Sequence, residues 1–152
     1  MTNPVLSAPL DLITTAFIEL VRGTGRTVYD HAYAGDPTSP SYPYHIVYRL
    51  AGGSSDETPD FDGDPQTITV TYQVTTVSSL RNQCEQASRV ARDRVLGRTP
   101  TGWAYPFVLP AGWTCVDRRP DLSLPGIDRS GNPPTAVFSL PARFTLTITP
   151  TT

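Results

Sequence analysis

Gln66-Thr-Ile-Thr-Val-Thr-Tyr-Gln-Val-Thr75 places Ile68, Val70, Tyr72 and Val74 on one side of an extended chain and Thr67, Thr69, Thr71 and Gln73 on the other. This period of two predicts a strand with one buried face. After Thr76 and Val77 the period changes. Leu80, Cys84, Ala87, Ala91 and Val95 recur at helical spacing, with Arg81, Glu85, Arg89 and Arg92 opposite them, which predicts an amphipathic helix running to Gly97. Ser78 or Ser79 offers an N-cap hydroxyl, and Gly97 stands where a helix closing in the left-handed conformation needs glycine.

Working outward, Leu6, Leu10, Ile13, Phe17 and Leu20/Val21 form the apolar stripe of an N-terminal helix. Pro9 falls in its first turn and Gly23 beyond its end. Asp11 and Arg22 both complement the helix dipole. A short strand is expected around Thr27 to His31. A better-patterned one is expected from Tyr44 to Leu50, with Tyr44, Ile46, Tyr48 and Leu50 alternating against His45, Val47 and Arg49. Residues 51–65 read as a long acidic hairpin loop. Beyond the second helix come an aromatic, proline-broken loop (Trp103, Tyr105, Phe107), a short strand from Trp113 to Asp117 and a loop from Arg118 to Pro134. The last strand sets Phe144, Leu146 and Ile148 against Arg143, Thr145, Thr147 and Thr149. These elements predict one α+β domain over residues 1–152, with two helices packed on one face of a mostly antiparallel four- to five-stranded sheet. The loops are long for so small a domain, which points to interaction surfaces.

Composition narrows the function. The 152 residues carry a net charge of -2, and all 12 basic residues are arginine. So even a balance argues against sequence-independent DNA binding and against anchoring to an anionic membrane. No segment has the length and apolar character of a membrane span. Residues 1–11 lack the basic start and apolar core of a signal peptide, so a cytoplasmic product is expected. In that compartment Cys84 and Cys115 read as free, buried thiols.

Catalytic and metal motifs do not hold up. Asp60-Phe-Asp62-Gly-Asp64 suggests a calcium loop, but the sixth and twelfth places hold Pro65 and Thr71 where glycine and glutamate are required. His31 and His45 have no metal spacing and no cysteine partner. Nucleophile-elbow and phosphate-binding fingerprints are absent. The expectation is a protein that is not an enzyme and uses no cofactor or metal.

Tyr72-Gln-Val-Thr-Thr-Val-Ser-Ser-Leu-Arg-Asn-Gln-Cys-Glu-Gln86, preceded by His45-Ile-Val-Tyr-Arg-Leu-Ala-Gly-Gly53, resembles the tail terminator proteins of long-tailed bacteriophages, especially those of actinobacterial hosts. In that family a strand ending Tyr-Gln-Val-Thr-x-Val runs into a helix opening with a small polar residue, a basic residue and Gln, and the preceding strand ends in a glycine-containing turn. The match covers residues 44–97, with looser agreement in the N-terminal helix and the final strand. The resemblance implies a virion protein that assembles in the host cytoplasm as a hexameric ring on the head-proximal end of the tail tube. Such a ring stops tube polymerisation, presents a joining surface to the head-side neck or stopper protein, and lets DNA pass through its lumen without specific binding. A neck or head-completion protein is the alternative within the virion. From another class, the alternative is a soluble ligand-binding module with Trp103, Tyr105 and Trp113 as its stacking platform.

A ring of identical chains needs two different, complementary patches on each copy. The expected pair is acidic (Asp56, Glu57, Asp60, Asp62 and Asp64) and basic (Arg89, Arg92 and Arg98), with the acidic residues facing either the lumen or the neighbouring subunit.

Overall fold

The computed structural model describes residues 8–50, 67–122, 124, 126–131 and 135–151. In chain order its elements are α1 (Leu10–Arg22), β1 (Thr27–Asp30), β2 (Tyr44–Leu50), β3 (Ile68–Ser78), α2 (Arg81–Leu96), β4 (Arg98–Thr99), β5 (Gly102–Trp103), β6 (Trp113–Asp121), β7 (Asp128–Ser130) and β8 (Val137–Pro150). Six strands form one sheet in the order β1-β2-β3-β8-β6, with β7 also pairing with β8. Among the described residues only the β1–β2 pair is parallel. Strands β4 and β5 form a separate hairpin. The α+β architecture follows the sequence pattern; the main sheet holds six strands where four to five were expected.

The alternation of β3 builds the core. Ile68, Val70, Tyr72 and Val74 are buried, and β8 places Ile148, Leu146, Phe144 and Ala142 directly opposite them. On the other flank Val47 of β2 pairs with Val74. Both helices cover this face. Phe17 of α1 stacks on Tyr72, with ring centroids 4.3 Å apart and planes 9° from parallel. The Tyr72 hydroxyl meets Thr14 Oγ1 at 3.0 Å. In α2, Ala91 and Val95 join the same core, and the Cys84 thiol donates to the Thr76 carbonyl at 3.3 Å. Each aromatic ring here buries on the order of 150–250 Å², so this contact is a main source of burial.

Strand β2 is apolar on both faces. His45 and Val47 are fully buried on the helix side, while Tyr44 and Ile46 cluster on the opposite side with Val77, Tyr29, Tyr33, Tyr42, Tyr48 and Val137. Segment 31–43 brings Tyr33 and Tyr42 onto that second cluster, where Tyr42 and Tyr33 lie 5.8 and 4.9 Å from the Tyr44 ring.

Several local expectations are corrected. Strand β3 continues through Ser78, so neither Ser78 nor Ser79 is the N-cap of α2. That position belongs to Leu80, which is extended, has no side-chain cap bond and is 62% exposed. Ser78 still organises the junction, its Oγ accepting from the Leu80 N–H and donating to Gln83 Oε1. Gly97 is not left-handed (φ -58°, ψ 136°). It is needed for close approach instead: a Cβ there would lie 2.5 Å from the Asp93 carbonyl oxygen, to which the Gly97 N–H bonds at 2.8 Å. The strand expected from Trp113 to Asp117 runs on to Asp121, past a bulge between Cys115 and Asp117. Pro120 is tolerated there because β6 is an edge strand. Leu6, on the N-terminal stripe, lies outside the described residues.

The Tyr72–Thr14 bond gives a direct test of this core. Tyr72→Phe and Thr14→Val should each cost about 1–3 kcal/mol by leaving a buried hydroxyl unpaired, and the double variant should cost less than the sum. Urea unfolding of the four chains measures the coupling.

Candidate assembly surface

Helix α2 buries Cys84, Ala87, Ser88, Ala91 and Val95, so its periodicity turns Arg81, Glu85, Arg89 and Arg92 outward. Arg81 and Glu85 form an exposed i,i+4 ion pair at 3.6 Å, worth a few tenths of a kcal/mol at most. Arg89 forms no such pair with Asp93 among the described residues. Arg89 and Arg92 are therefore exposed cations on a rigid helix. Arg98 lies apart from them, in β4, with its guanidinium 4.2 Å from the centre of the Trp103 ring. The acidic candidates Asp56, Glu57, Asp60, Asp62 and Asp64 lie outside the described residues.

Two arginines not singled out from the sequence hold the helix ends. A helix leaves its last carbonyls without internal partners and its C-terminus partially negative. Arg94 of α2 donates its Nε–H to the Leu20 carbonyl of α1 at 2.9 Å, and its guanidinium lies 4.1 Å from the Tyr105 ring centre. Gly23 leaves room for this contact, since a Cβ there would collide with the Arg94 guanidinium. Arg118 of β6 donates Nη1–H to the Val95 carbonyl at 3.0 Å. Arg118 is only 5% exposed, and its guanidinium lies 4.7 Å from the Trp103 ring and 5.8 Å from Phe107. Burial lowers its pKa from the ordinary arginine value. The sequence signal for these roles was the aromatic run Trp103, Tyr105, Phe107 following an arginine-rich helix. Spacing alone could not tell which arginine meets which ring.

Between β3 and β8 the sheet face away from the helices carries polar pairs. Threonine pairs cross the strands at Thr67–Thr149 (2.9 Å) and Thr71–Thr145 (3.3 Å), and Arg143 donates to Gln73 Oε1 at 3.0 Å. A cleft of about 430 Å³ is lined by Gln73, Thr75, Gly126, Ile127, Asp128, Ser139 and Pro141. Leu122 and Val116 are 79% and 55% exposed.

Both cysteines are free thiols. Burial, with Glu85 adding to it, pushes the Cys84 thiol up to about 11, and burial raises that of Cys115. Buried, protonated thiols of this kind are weak nucleophiles. His45 is fully buried, and its Nδ1 meets Thr76 Oγ1 at 2.9 Å. Burial, and secondarily the charge of Arg26, lowers its pKa to about 4.

No family model and no curated protein matches this sequence. Among solved structures, a chain in the virion of a native gene transfer agent particle is similar, with a TM-score of 0.59 and 12% identity. The alignment covers 93% of this chain and 97% of that one. What the two share is the fold. It is shared almost end to end, so the likeness is between whole domains.

The buried histidine makes stability depend on pH in a defined direction. Its pKa is lowered on folding from 6.5 to about 4, so the unfolded chain takes up the proton first as pH falls. The His45 contribution should be constant above about pH 6.5 and decline down to about pH 4. Urea unfolding across this range should show a shallower decline in His45→Gln than in the unmodified chain.

Proposed function

We propose that this chain is a structural protein of a phage-type virion, and within it the tail terminator. The observation that carries the reading is the fold likeness to a chain of a gene transfer agent virion, spanning 93% of this chain and 97% of that one. The strand-to-helix motif from Tyr72 to Gln86 supports it independently. The occupied aromatic faces weigh against the ligand-binding alternative: Trp103 is covered by Arg98 and Arg118, and Tyr105 by Arg94.

The mechanism is termination by occlusion. One face of a homo-oligomeric ring, a hexamer by the family resemblance, is complementary to the growing end of the tail tube. The other face does not resemble a further tube ring and is joined by the neck or stopper protein. Specificity then rests on surfaces that accept one partner and reject another. Double-stranded DNA crosses the lumen, where acidic walls keep phosphates from adhering.

Charge distribution suggests how the copies find their register. Residues 51–66 hold five carboxylates and no arginine, leaving the rest of the chain at a net charge of +3 against -2 overall. In this reading Asp56, Glu57, Asp60, Asp62 and Asp64 of one copy face the lumen or meet Arg89 and Arg92 of the next. Arg98, engaged with Trp103 in β4, is a separate basic candidate for the same contact. Complementary charge of this kind fixes register and partner choice more than it adds affinity.

Tail length tests the function. In a phage whose copy of this gene is interrupted, electron microscopy should show tubes overrunning their normal length beside unattached heads. Normal-length tails beside unjoined heads would reassign the protein to the neck, and intact virions would exclude both roles. The patch pairing has its own test. Arg89→Glu with Arg92→Glu, or arginine at Asp60, Asp62 and Asp64, should each impair assembly, while alternating the two variants in one ring should restore it. Full activity of either variant alone would remove the patches from the interface.

A further inference from the structure

His31 ends β1 in an unusual way. It is the one non-glycine residue with positive φ (63°) among the described residues, in the left-handed region that bulky side chains avoid. Its N–H still donates to the Val47 carbonyl at 2.9 Å, one step beyond the last β1–β2 residue pair, Asp30↔Val47. In a regular parallel ladder the His31 carbonyl would next accept from the Arg49 N–H. The left-handed turn carries the main chain away towards Tyr33 and Asp36, and the imidazole takes over that bond. His31 Nε2 accepts the Arg49 N–H at 3.0 Å. Nδ1 contacts the Asp30 carboxylate, and the ring sits edge-on to Tyr48 with centroids 6.0 Å apart. A ring accepting at Nε2 carries its proton on Nδ1, facing Asp30.

We propose that His31 makes the end of the β1–β2 ladder acid-labile, acting as a clasp that holds Arg49 when neutral and releases it when protonated. A proton taken from solvent at Nε2 removes the lone pair that accepts the Arg49 N–H and leaves two donors face to face. Asp30 holds the ring at Nδ1, and Tyr48 meets it edge-on. The Arg49 main chain is the partner that is lost. Strand β2 ends at Leu50, so the released amide lies at the root of the carboxylate-rich segment 51–66. A backbone carbonyl in the same place would hold Arg49 at every pH; the imidazole makes the bond conditional. The inference stands on this local geometry, whatever the chain assembles with.

The test is amide exchange and NMR on the full chain. Between about pH 7.5 and about pH 5, where imidazoles commonly titrate, protection of the Arg49 amide should fall about tenfold or more after correction for intrinsic exchange. The fall should track protonation of the His31 ring. Neighbouring β2 amides bonded to β3 should keep their protection, which separates local release from global unfolding. His31→Asn tolerates the positive φ but has no imidazole, so its Arg49 amide should be weakly protected and insensitive to pH. An Arg49 amide that stays protected while His31 titrates would overturn the proposal, as would the same pH response in His31→Asn.

Discussion

The stack of Phe17 on Tyr72 ties the two layers of this domain together. Tyr72 lies at the middle of β3, with Arg49 of β2 and Phe144 of β8 as its cross-strand neighbours. Its ring is fully buried beneath α1, and its hydroxyl is spent on Thr14. Burial pushes that phenol up to about 12, so it stays a neutral group committed to one bond. With the ring fixed, α1 can approach only along the line that seats Phe17 over Tyr72, and α2 then fills the remaining helix-side surface with Ala87, Ala91 and Val95. Small residues on α2 are what bring that helix close to the sheet: large ones would push it off the floor that Tyr72 and Phe144 define.

The second constraint is the supply of cations to helix ends. Arginine is the only basic residue here, and two of the twelve are spent inside the fold. Arg94 joins α2 to the last turn of α1, and Arg118 joins the sheet to the last turn of α2. Each lies against an aromatic ring from the 103–107 stretch. A planar guanidinium can stack and donate at once, whereas an ammonium would lose the stacking geometry. The hairpin of β4 and β5, too short to be stable alone, is thereby fastened over the α2 terminus by Trp103 lying against Arg98 and Arg118.

Wherever one side of an element faces the core, the sequence was readable. The alternation of β3 and β8 and the helical spacing from Cys84 to Val95 gave the layers directly. Strand β2 was harder, because both of its faces are apolar and period two does not say which side meets the helices. At Gly97 the constraint is a carbonyl oxygen, not a left-handed φ, and the position of a glycine after a helix is the same in both cases. Of the site residues, Arg89 and Arg92 stand outward as their helical phase requires. Arg98 has the same composition signal but a local aromatic partner. The roles of Arg94 and Arg118 rest on contacts 74 and 23 residues apart in sequence, beyond the reach of any periodicity.

The sheet edges limit how copies of this chain can meet. An open sheet can grow by pairing edge to edge unless its edges are blunted. Here β6 carries a bulge beside Val116 and a proline at position 120. At the other edge β1 is four residues long, and His31 turns the chain away at its end. Among the described residues, neither edge offers a long, regular row of free main-chain groups. In the proposed ring, contacts between copies would then fall to side chains on helices and loops, where charge and shape set the register. Main-chain pairing would be indifferent to sequence and could continue without limit; side-chain contacts can be made to stop at a chosen partner. A protein whose proposed task is to end a polymer would need that property.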